Sequence, residues 1–369
     1  MIEYFFPWFI ALLASYFYIL YIYIHFSYKP DFLNNLVSLS AIYFIFIHIL
    51  LFLLLLSLEV ELHEIILPIM LLTLNGPFLL ISILISLSTG FAYFYKRVSK
   101  KDLSDLGQKI EKKIKKNRSK LRKDVYRKIN HVLIFVVLLS VWSLGVYIAK
   151  LYTGTTEGMI PEENNMLLLY FKILFKPNSI KQVLFNFGWF YYALFFFFYT
   201  LCLFILTNEF TRKSKYLSFP FNVFSKFYLT EEEKRSYGTY LYFTIGHMFA
   251  SFTCPPMVFF AILGMSSISD LMTSQIGIRF GKRHISWNKN KTWEGTIAGT
   301  IVSFIICSFF MGFYWSLIFS FVFLVFDVIT NKPLNLSDNL LIPIGSSLVY
   351  LIIRFIFSFN YYSIILAWI

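Results

Sequence analysis

The chain has 369 residues, of which 58% are hydrophobic, 21% are aromatic and only 14% are charged. A soluble domain carries roughly 45–50% apolar and about 25% charged residues, so a water-soluble fold is excluded and lipid must solvate most of this chain. The formal net charge is +13, and the three cysteines have no CxxC spacing, which excludes a cysteine-based structural zinc site.

Apolar stretches of membrane-spanning length follow one another along the chain. A bilayer core of about 30 Å needs roughly 20 apolar residues per helix. On this measure we expect spans at 4–26, 36–58, 65–95, 131–153, 183–208, 237–253, 256–276, 295–328 and 340–358. The third span is interrupted at Asn75-Gly76-Pro77, and the long stretch 295–328 divides into two short helices at Met311-Gly312-Phe313. The sequence therefore predicts an all-α, polytopic transmembrane helical bundle with roughly ten spans.

A polybasic segment follows the third span. Residues 96–128 hold fifteen Lys or Arg and only four acids. Such a segment beside a membrane span is typical of the cytoplasmic side and of contact with anionic lipid headgroups. We therefore expect an amphipathic helix that lies at the membrane interface, and no nucleic-acid partner. The basic loops 209–235 and 279–291 fall on the same predicted side, and so does 329–339 if 295–328 forms a hairpin.

A polar stripe interrupts the apolar span that ends near residue 276. Ser266, Asp270, Thr273, Ser274 and Gly277 have helical spacing and share one face. An ionisable residue inside an apolar span is expensive in lipid and must face a polar partner or a water-filled cavity. Asp270 is therefore a candidate functional residue. The alternative is an Asp that pairs with a buried basic residue only to hold helices together.

The loop after this stripe is rich in positive charge. Five basic residues lie between 279 and 291: Arg279, Lys282, Arg283, Lys289 and Lys291. Triphosphates need cationic side chains, backbone donors and usually Mg²⁺ to offset their charge. The loop therefore predicts a phosphate-binding site at the membrane face, although a basic loop alone is also an ordinary topology signal.

The start of the next helix adds candidate ligands. Thr292 is placed to cap this helix, whose first N–H groups would be offered to an anion. Glu294 lies in the first turn, where it suits the helix dipole and would also suit a divalent cation held together with Asp270. Gly295 and Gly299 predict close packing of this helix against a neighbour.

These segments resemble a known family. Asp270, Gly277, the FGKRHI run at 280–285 and the KTWEGTIAG run at 291–299 resemble the CTP-binding segment of the dolichol kinase family. That family includes phytol and other polyprenol kinases and the CTP-dependent diacylglycerol kinases. Phosphatidate cytidylyltransferases share a similar stretch. The paired lysines that often precede the Thr are absent here, which leaves open whether Lys289 or Lys291 contacts the phosphates.

Two further elements favour the kinases over the cytidylyltransferases. Ser337-Asp338-Asn339-Leu340 with Ile342-Pro343 resembles the DNL-x-x-P element of the kinase group. Tyr126-Arg127-Lys128 with His131 resembles its Arg-Lys…His opening. The Pro-Gly-His-Gly-Gly ending of the cytidylyltransferases is absent from this sequence.

The resemblance implies transfer of the γ-phosphoryl group of CTP to the hydroxyl of a polyprenol. It implies that Asp270, Glu294 and Lys291 are catalytic, and that Asp270 and Glu294 hold Mg²⁺ or another divalent cation, or that one of the two receives the hydroxyl proton. Arg127 and His131 are expected to line the substrate entrance, and a packing role at the membrane interface is the alternative for His131. The residues implied in nucleotide binding are Lys282, Arg283, Lys289, Lys291, Thr292, Gly295, Asp338 and Asn339. The expected location is the endoplasmic reticulum or the plasma membrane, with the active site facing the cytoplasm.

The resemblance also suggests a division of the chain. We expect N-terminal spans without an assigned role at 1–95, the polybasic linker at 96–128, and a catalytic transmembrane domain at 129–369. Three alternatives stay open. They are a phytol, geranylgeraniol or diacylglycerol kinase of the same family, a CTP transferase similar to phosphatidate cytidylyltransferase, and a transporter or membrane scaffold. The last should carry charges along several spans near mid-membrane, whereas the charges here cluster at one face.

Overall fold

The computed structural model is helical along most of its described length. The structure describes residues 32–58, 66–100, 120–153, 187–212, 219–224, 229, 233, 236–330, 332–357, 359 and 365. The predicted span 4–26 and most of the polybasic segment 96–128 lie outside these residues.

Eleven α-helices and two short strands follow one another in the described part of the chain. The first six helices are α1 (Phe32–Leu58), α2 (Ile66–Ser99), α3 (Lys120–Thr153), α4 (Phe187–Thr211), α5 (Phe221–Phe224) and α6 (Thr239–Thr253). The remaining elements are α7 (Pro256–Gly264), a π-helical turn (Met265–Ser269), α8 (Asp270–Phe280), β1 (His284–Ile285), β2 (Asn288–Thr292), α9 (Trp293–Met311), α10 (Phe313–Ile329) and α11 (Asp338–Phe357).

The prediction of a helical membrane protein is confirmed. Within the described residues, six helices are long and apolar enough to cross a bilayer, and α1 and α10 contain shorter apolar stretches. These helices are those of an integral membrane protein. The predicted count of ten spans is not established by the described residues. On α9, Ile297, Ile301 and Ile305 are each about half exposed at four-residue intervals, which is the pattern of a helix face turned toward lipid.

Two predicted interruptions have different outcomes. Helix α2 runs unbroken from Ile66 to Ser99 with Pro77 inside it. Proline is tolerated inside membrane helices, because neighbouring groups provide other hydrogen-bond partners for the backbone atoms that lose theirs. By contrast, the stretch 295–328 does divide in two. Gly312, at φ 80°, ends α9 and begins α10, since glycine adopts this left-handed region without steric cost.

The basic loop corrects the all-α prediction. Strands β1 and β2 pair antiparallel, with His284 opposite Thr292 and Ile285 opposite Asn288. Ile285 and Asn288 are buried, whereas Trp287 and Lys289 are exposed. We call residues 281–292 the basic hairpin. The length of apolar stretches, by which the spans were identified, gives no signal for so short a hairpin, which is held in place by tertiary contacts.

The contacts divide the chain into two compact units. One comprises Met1–Lys120 and Tyr199–Thr244, and the other Leu121–Phe198 and Ile245–Ile369. In the second unit α7 is buried along its whole length, and aromatic rings pack around it: Phe260 lies 5.4 Å from Trp142 and 6.0 Å from Phe310 between ring centroids. All residues of the site described next belong to this second unit.

Candidate functional site

Close packing of α8 against α9 brings the polar stripe and the basic hairpin together. A Cβ added to Gly295 would lie 2.5 Å from the carbonyl oxygen of Thr273, and one added to Gly299 would lie 3.0 Å from that of Ser269. Only glycine allows these approaches, so the predicted small-residue contact is confirmed. Gly295 therefore serves the packing of the two helices.

Asp270 begins α8 directly after the π-helical turn Met265–Ser269. Such turns are rare and occur frequently at functional sites. Asp270 is only 5% exposed. The Nζ of Lys128 lies 2.7 Å from its Oδ2 and donates to its backbone oxygen at 3.0 Å. If Asp270 only holds helices together, it needs a buried basic partner, and Lys128 on α3 is such a partner. Lys128 contacts both the carboxylate and the backbone oxygen of Asp270.

Lys291 on β2 is surrounded by acidic side chains. Its Nζ forms an ion pair with Oδ1 of Asp327 and lies 3.6 Å from Oδ2 of Asp338. Asp327 is fully buried near the end of α10, and the hydroxyl of Thr296 donates to its other oxygen at 2.5 Å. Asp327 is the acid that sequence reasoning missed. The sequence feature that could have identified Asp327 is the one that identified Asp270, namely an ionisable residue inside an apolar helix.

The two ion pairs form one electrostatic group. Burial alone would lower the pKa of Lys291, but the negative charges of Asp327, Asp338 and Asp270 outweigh it and raise the pKa above its ordinary value. Lys291 therefore stays protonated. We call Lys128, Asp270, Lys291, Asp327 and Asp338 the carboxylate–lysine cluster.

The basic hairpin is fixed to the end of α10. The indole N–H of Trp287 donates to the backbone oxygen of Val328 at 3.3 Å, and the side-chain amide of Asn288 donates to that of Thr330 at 2.7 Å. This docking directs Lys291 into the cluster. The side chains of Lys282, Arg283 and Lys289 are exposed. Of the two lysines left open by the sequence, Lys291 is thus the one beside the carboxylates.

The first turn of α9 closes the base of the hairpin. Thr292 is the N-cap, as predicted, and accepts from the amide of Gly295 at 3.3 Å. The amide of Trp293 donates to the backbone oxygen of Arg283 at 2.9 Å. Both oxygens of Glu294 accept from the amide of Arg283 at 3.2 Å. The amides expected to receive an anion at Trp293 and Gly295 therefore already have acceptors.

Asp270 and Glu294, which were predicted to hold a metal ion together, have different contacts. Asp270 contacts Lys128, whereas Glu294 contacts the hairpin backbone. Among the described residues there is no group of three or more His, Cys, Asp or Glu arranged to hold a metal ion. Mg²⁺ bound with a nucleotide usually needs only one or two carboxylates besides phosphate and water. Asp270 and Asp338 both lie near enough to Lys291 for their negative charges to raise its pKa.

The remaining predicted residues lie on α3 and α11. Asp338 begins α11, and its Oδ1 accepts from the amide of Asn339 at 3.0 Å. Asn339 is buried, and a Cβ on Gly246 would lie 2.5 Å from its backbone oxygen, so α6 and α11 approach closely at this point. His131 is buried one turn beyond Lys128 on α3. The side chain of Arg127 lies outside the described residues.

The geometry defines a class of protein, a helical membrane protein with buried acidic and basic residues gathered beside a basic hairpin. The model of the cytidylyltransferase family matches residues 114–338, more than half of the chain, and the chain belongs to this family. The family includes the dolichol kinases and other CTP-dependent lipid kinases, so the predicted relationship is confirmed. No curated protein and no solved structure gives a significant match.

All five residues of the carboxylate–lysine cluster lie inside the matched region. The chain is accordingly an enzyme of CTP-dependent lipid chemistry in the broad sense. Asn339, the residue after the match ends, continues the DNL-x-x-P element into α11.

Proposed function

We propose that this protein is a CTP-dependent lipid-alcohol kinase that transfers the γ-phosphoryl group of CTP to the hydroxyl of a polyprenol. The observation that carries the proposal is the carboxylate–lysine cluster. Its lysines offer the charge that a triphosphate requires, and its aspartates offer oxygen ligands and a proton acceptor. Residues from α3, α8, β2, α10 and α11 contribute to it, and a family of CTP-using enzymes matches all of them.

In the proposed reaction the oxygen of the lipid hydroxyl forms a bond to the γ-phosphorus, and the bond from that phosphorus to the β,γ-bridging oxygen breaks. CDP leaves, and the hydroxyl proton moves to the Asp270 carboxylate. Lys128 turns from Asp270, and Lys291 turns from Asp338, toward the phosphates, and the two ammonium groups offset the negative charge. Such transfer depends mainly on positioning and electrostatic stabilisation.

Divalent metal and nucleotide would be held by different parts of the site. Asp338 would help to hold Mg²⁺, which when bound would supply charge neutralisation on the phosphates, while Asp270 serves as the proton acceptor. Lys282, Arg283 and Lys289, exposed on the basic hairpin, would contact the nucleotide from the aqueous side, with Asn339 completing the pocket. Glu294 keeps the hairpin closed in this proposal, through its bonds to the Arg283 amide.

The acceptor would reach the site from the bilayer with its hydroxyl at headgroup depth. The N-terminal helices α1 and α2 resemble the additional spans of the longer dolichol kinases, which favours a long polyprenol over phytol, geranylgeraniol or diacylglycerol. We propose that Arg127 and His131 line the entrance, that the 96–128 segment contacts anionic headgroups, and that the site faces the cytoplasm.

Cytidylyl transfer to phosphatidate is the second candidate, and the description of the matching family favours it. In that reaction the lipid phosphate would attack the α-phosphorus and pyrophosphate would leave. We rank kinase activity first because Asp338-Asn339-Leu340 with Pro343, and Arg127-Lys128 with His131, resemble elements of the kinase group.

The two candidates give different products from the same nucleotide. The full chain, purified into lipid nanodiscs, is incubated with CTP labelled on the α- or γ-phosphate and with a polyprenol, phytol, diacylglycerol or phosphatidate. The proposal expects CDP together with γ-label in the polyprenol, and both at a much lower rate with Asp270→Asn. Pyrophosphate with α-label in the lipid would establish the second candidate instead.

A further inference from the structure

We propose that Asp327 is a positioning residue that, with Thr296, holds Lys291 in place for the triphosphate. The inference rests on the proposed function, because it concerns the lysine assigned to the phosphates. Asp327 does not reach solvent and belongs to none of the motifs that carry the family resemblance.

The contacts of Asp327 are divided between two partners. One carboxylate oxygen pairs with the Nζ of Lys291, and the other accepts the hydroxyl hydrogen of Thr296 at 2.5 Å. Thr296 is itself fully buried on α9, one turn after the cap residue Thr292. With one oxygen fixed by Thr296, the direction of the other oxygen toward Lys291 is fixed as well.

The surroundings of Asp327 connect this carboxylate to the hairpin. Trp287 and Asn288 bond to the backbone oxygens of Val328 and Thr330, which follow Asp327 in the chain by one and three residues. The last turn of α10 therefore holds both the backbone of the hairpin and the ammonium group of its functional lysine. Asp338, by contrast, lies 3.6 Å from that ammonium group and is partly exposed.

The difference in exposure between Asp327 and Asp338 gives the two aspartates different roles. Asp338 is accessible to a nucleotide and can exchange Lys291 for another cation. Asp327 is inaccessible, and a buried carboxylate without a counter-charge is costly, so it retains the lysine. We infer that Lys291 pivots on Asp327 while its ammonium group remains directed at the phosphates.

The experiment is a double-mutant cycle on the full chain in nanodiscs. Asp327→Asn should lower kcat/KM for CTP by about 10- to 100-fold, the range seen when an outer partner that orients a functional ligand is removed. Asp327→Glu should recover part of this loss. Thr296→Val should cost roughly tenfold, since a hydrogen bond to a charged group is lost.

The cycle distinguishes positioning from simple structural support. If Asp327 acts through Lys291, Asp327→Asn combined with Lys291→Met should be no slower than Lys291→Met alone. Additive losses would overturn the inference. The matched controls are Ser320→Ala and Thr300→Val, whose hydroxyls bond only to backbone of their own helices among the contacts described; both should retain near-normal activity per folded protein.

A second measurement does not need turnover. At one fixed pH, Lys291 should react slowly with an amine-directed acylating reagent, as measured by mass spectrometry, and faster by about tenfold or more in Asp327→Asn, while labelling of Lys289 stays unchanged. Equal labelling of Lys291 in both proteins would overturn the inference. Absence of CTP turnover in the wild type would instead contradict the proposed function and leave this labelling result to decide the role of Asp327.

Discussion

Two buried ionic networks of this protein differ in how their charges are satisfied. In the first unit, Glu209 accepts from the amide of Gly238 and from the hydroxyl of Tyr240, and pairs with Arg212 at 3.4 Å. Arg212 also donates to the backbone oxygens of Glu233 and Ser236. In the second unit, the ammonium group of Lys291 is shared among carboxylates of different helices.

The contrast indicates which network is structural. Glu209 and Arg212 bond to backbone groups, and these bonds cannot break unless the local backbone unfolds. The two charged side chains therefore stabilise the fold. The carboxylate–lysine cluster consists mainly of side-chain ion pairs, and Asp338 within it is partly exposed, so an incoming ligand can exchange its partners. The same kind of buried ion pair therefore has a fixed role in one unit and a replaceable one in the other.

Among the substitutions that test this contrast, Lys291→Met is expected to have the largest effect on activity. Loss of the ammonium group should reduce kcat/KM for CTP by roughly a thousandfold, because one preorganised charge at the reacting phosphate is removed. Lys289→Met, two residues earlier on the same strand, is the control and should lose less than about tenfold. A comparable loss in both variants would mean that the cluster does not select Lys291.

A slightly smaller loss is expected from Asp270→Asn, on the order of a hundredfold in the rate of lipid phosphorylation, since the proton acceptor is removed. The double variant Lys128→Met with Asp270→Asn separates the two interpretations of this pair. If the pair only holds helices together, the double variant should recover activity along with thermal stability. We expect recovery of stability without recovery of rate.

In the first unit the effect should fall on stability. Arg212→Met leaves Glu209 buried without its counter-charge, at a cost of about 3–5 kcal/mol in the free energy of unfolding. The thermal midpoint in nanodiscs should drop, while the rate per folded molecule at low temperature stays within about twofold of the wild type. A selective loss of rate at full stability would place the Glu209 network among the functional groups.

The smallest effect is expected from Glu294→Gln. Opening the base of the hairpin should raise KM for CTP by about fivefold, because hydrogen bonds to a charged acceptor are weakened, with the Mg²⁺ dependence unchanged. A large shift in the Mg²⁺ concentration required for half-maximal rate would instead support Glu294 as the metal ligand that the sequence predicted.

The sequence predicted the helical membrane architecture because long apolar stretches have no other stable arrangement in lipid. It also predicted the division at Gly312 and the glycine contact of Gly295, since both depend on local chemistry. It pointed to Asp270 and Lys291 by charge and resemblance. The hairpin was missed, because two short strands anchored by Trp287 and Asn288 depend on the distant end of α10.

The partners of the predicted residues were the least predictable part of the site. Lys128 and Asp327 are separated by long stretches of sequence from the residues they bind, and no spacing rule relates them. Glu294 was assigned by its position in a first helical turn, where a carboxylate suits a metal and a backbone amide equally. In the structure Glu294 accepts from the amide of Arg283, and its role as a metal ligand stays a prediction.

The docking of the basic hairpin on α10 also bears on how nucleotide preference can change in this protein. Trp287 and Asn288 hold the hairpin on the end of α10 and Lys291 lies in the cluster. By contrast, Lys282, Arg283 and Lys289 are exposed on the same short segment. Substitutions at the outward positions can therefore alter base or phosphate selectivity without rebuilding the membrane-embedded helices. Variation of donor specificity among related chains should accordingly concentrate in these few solvent-facing side chains.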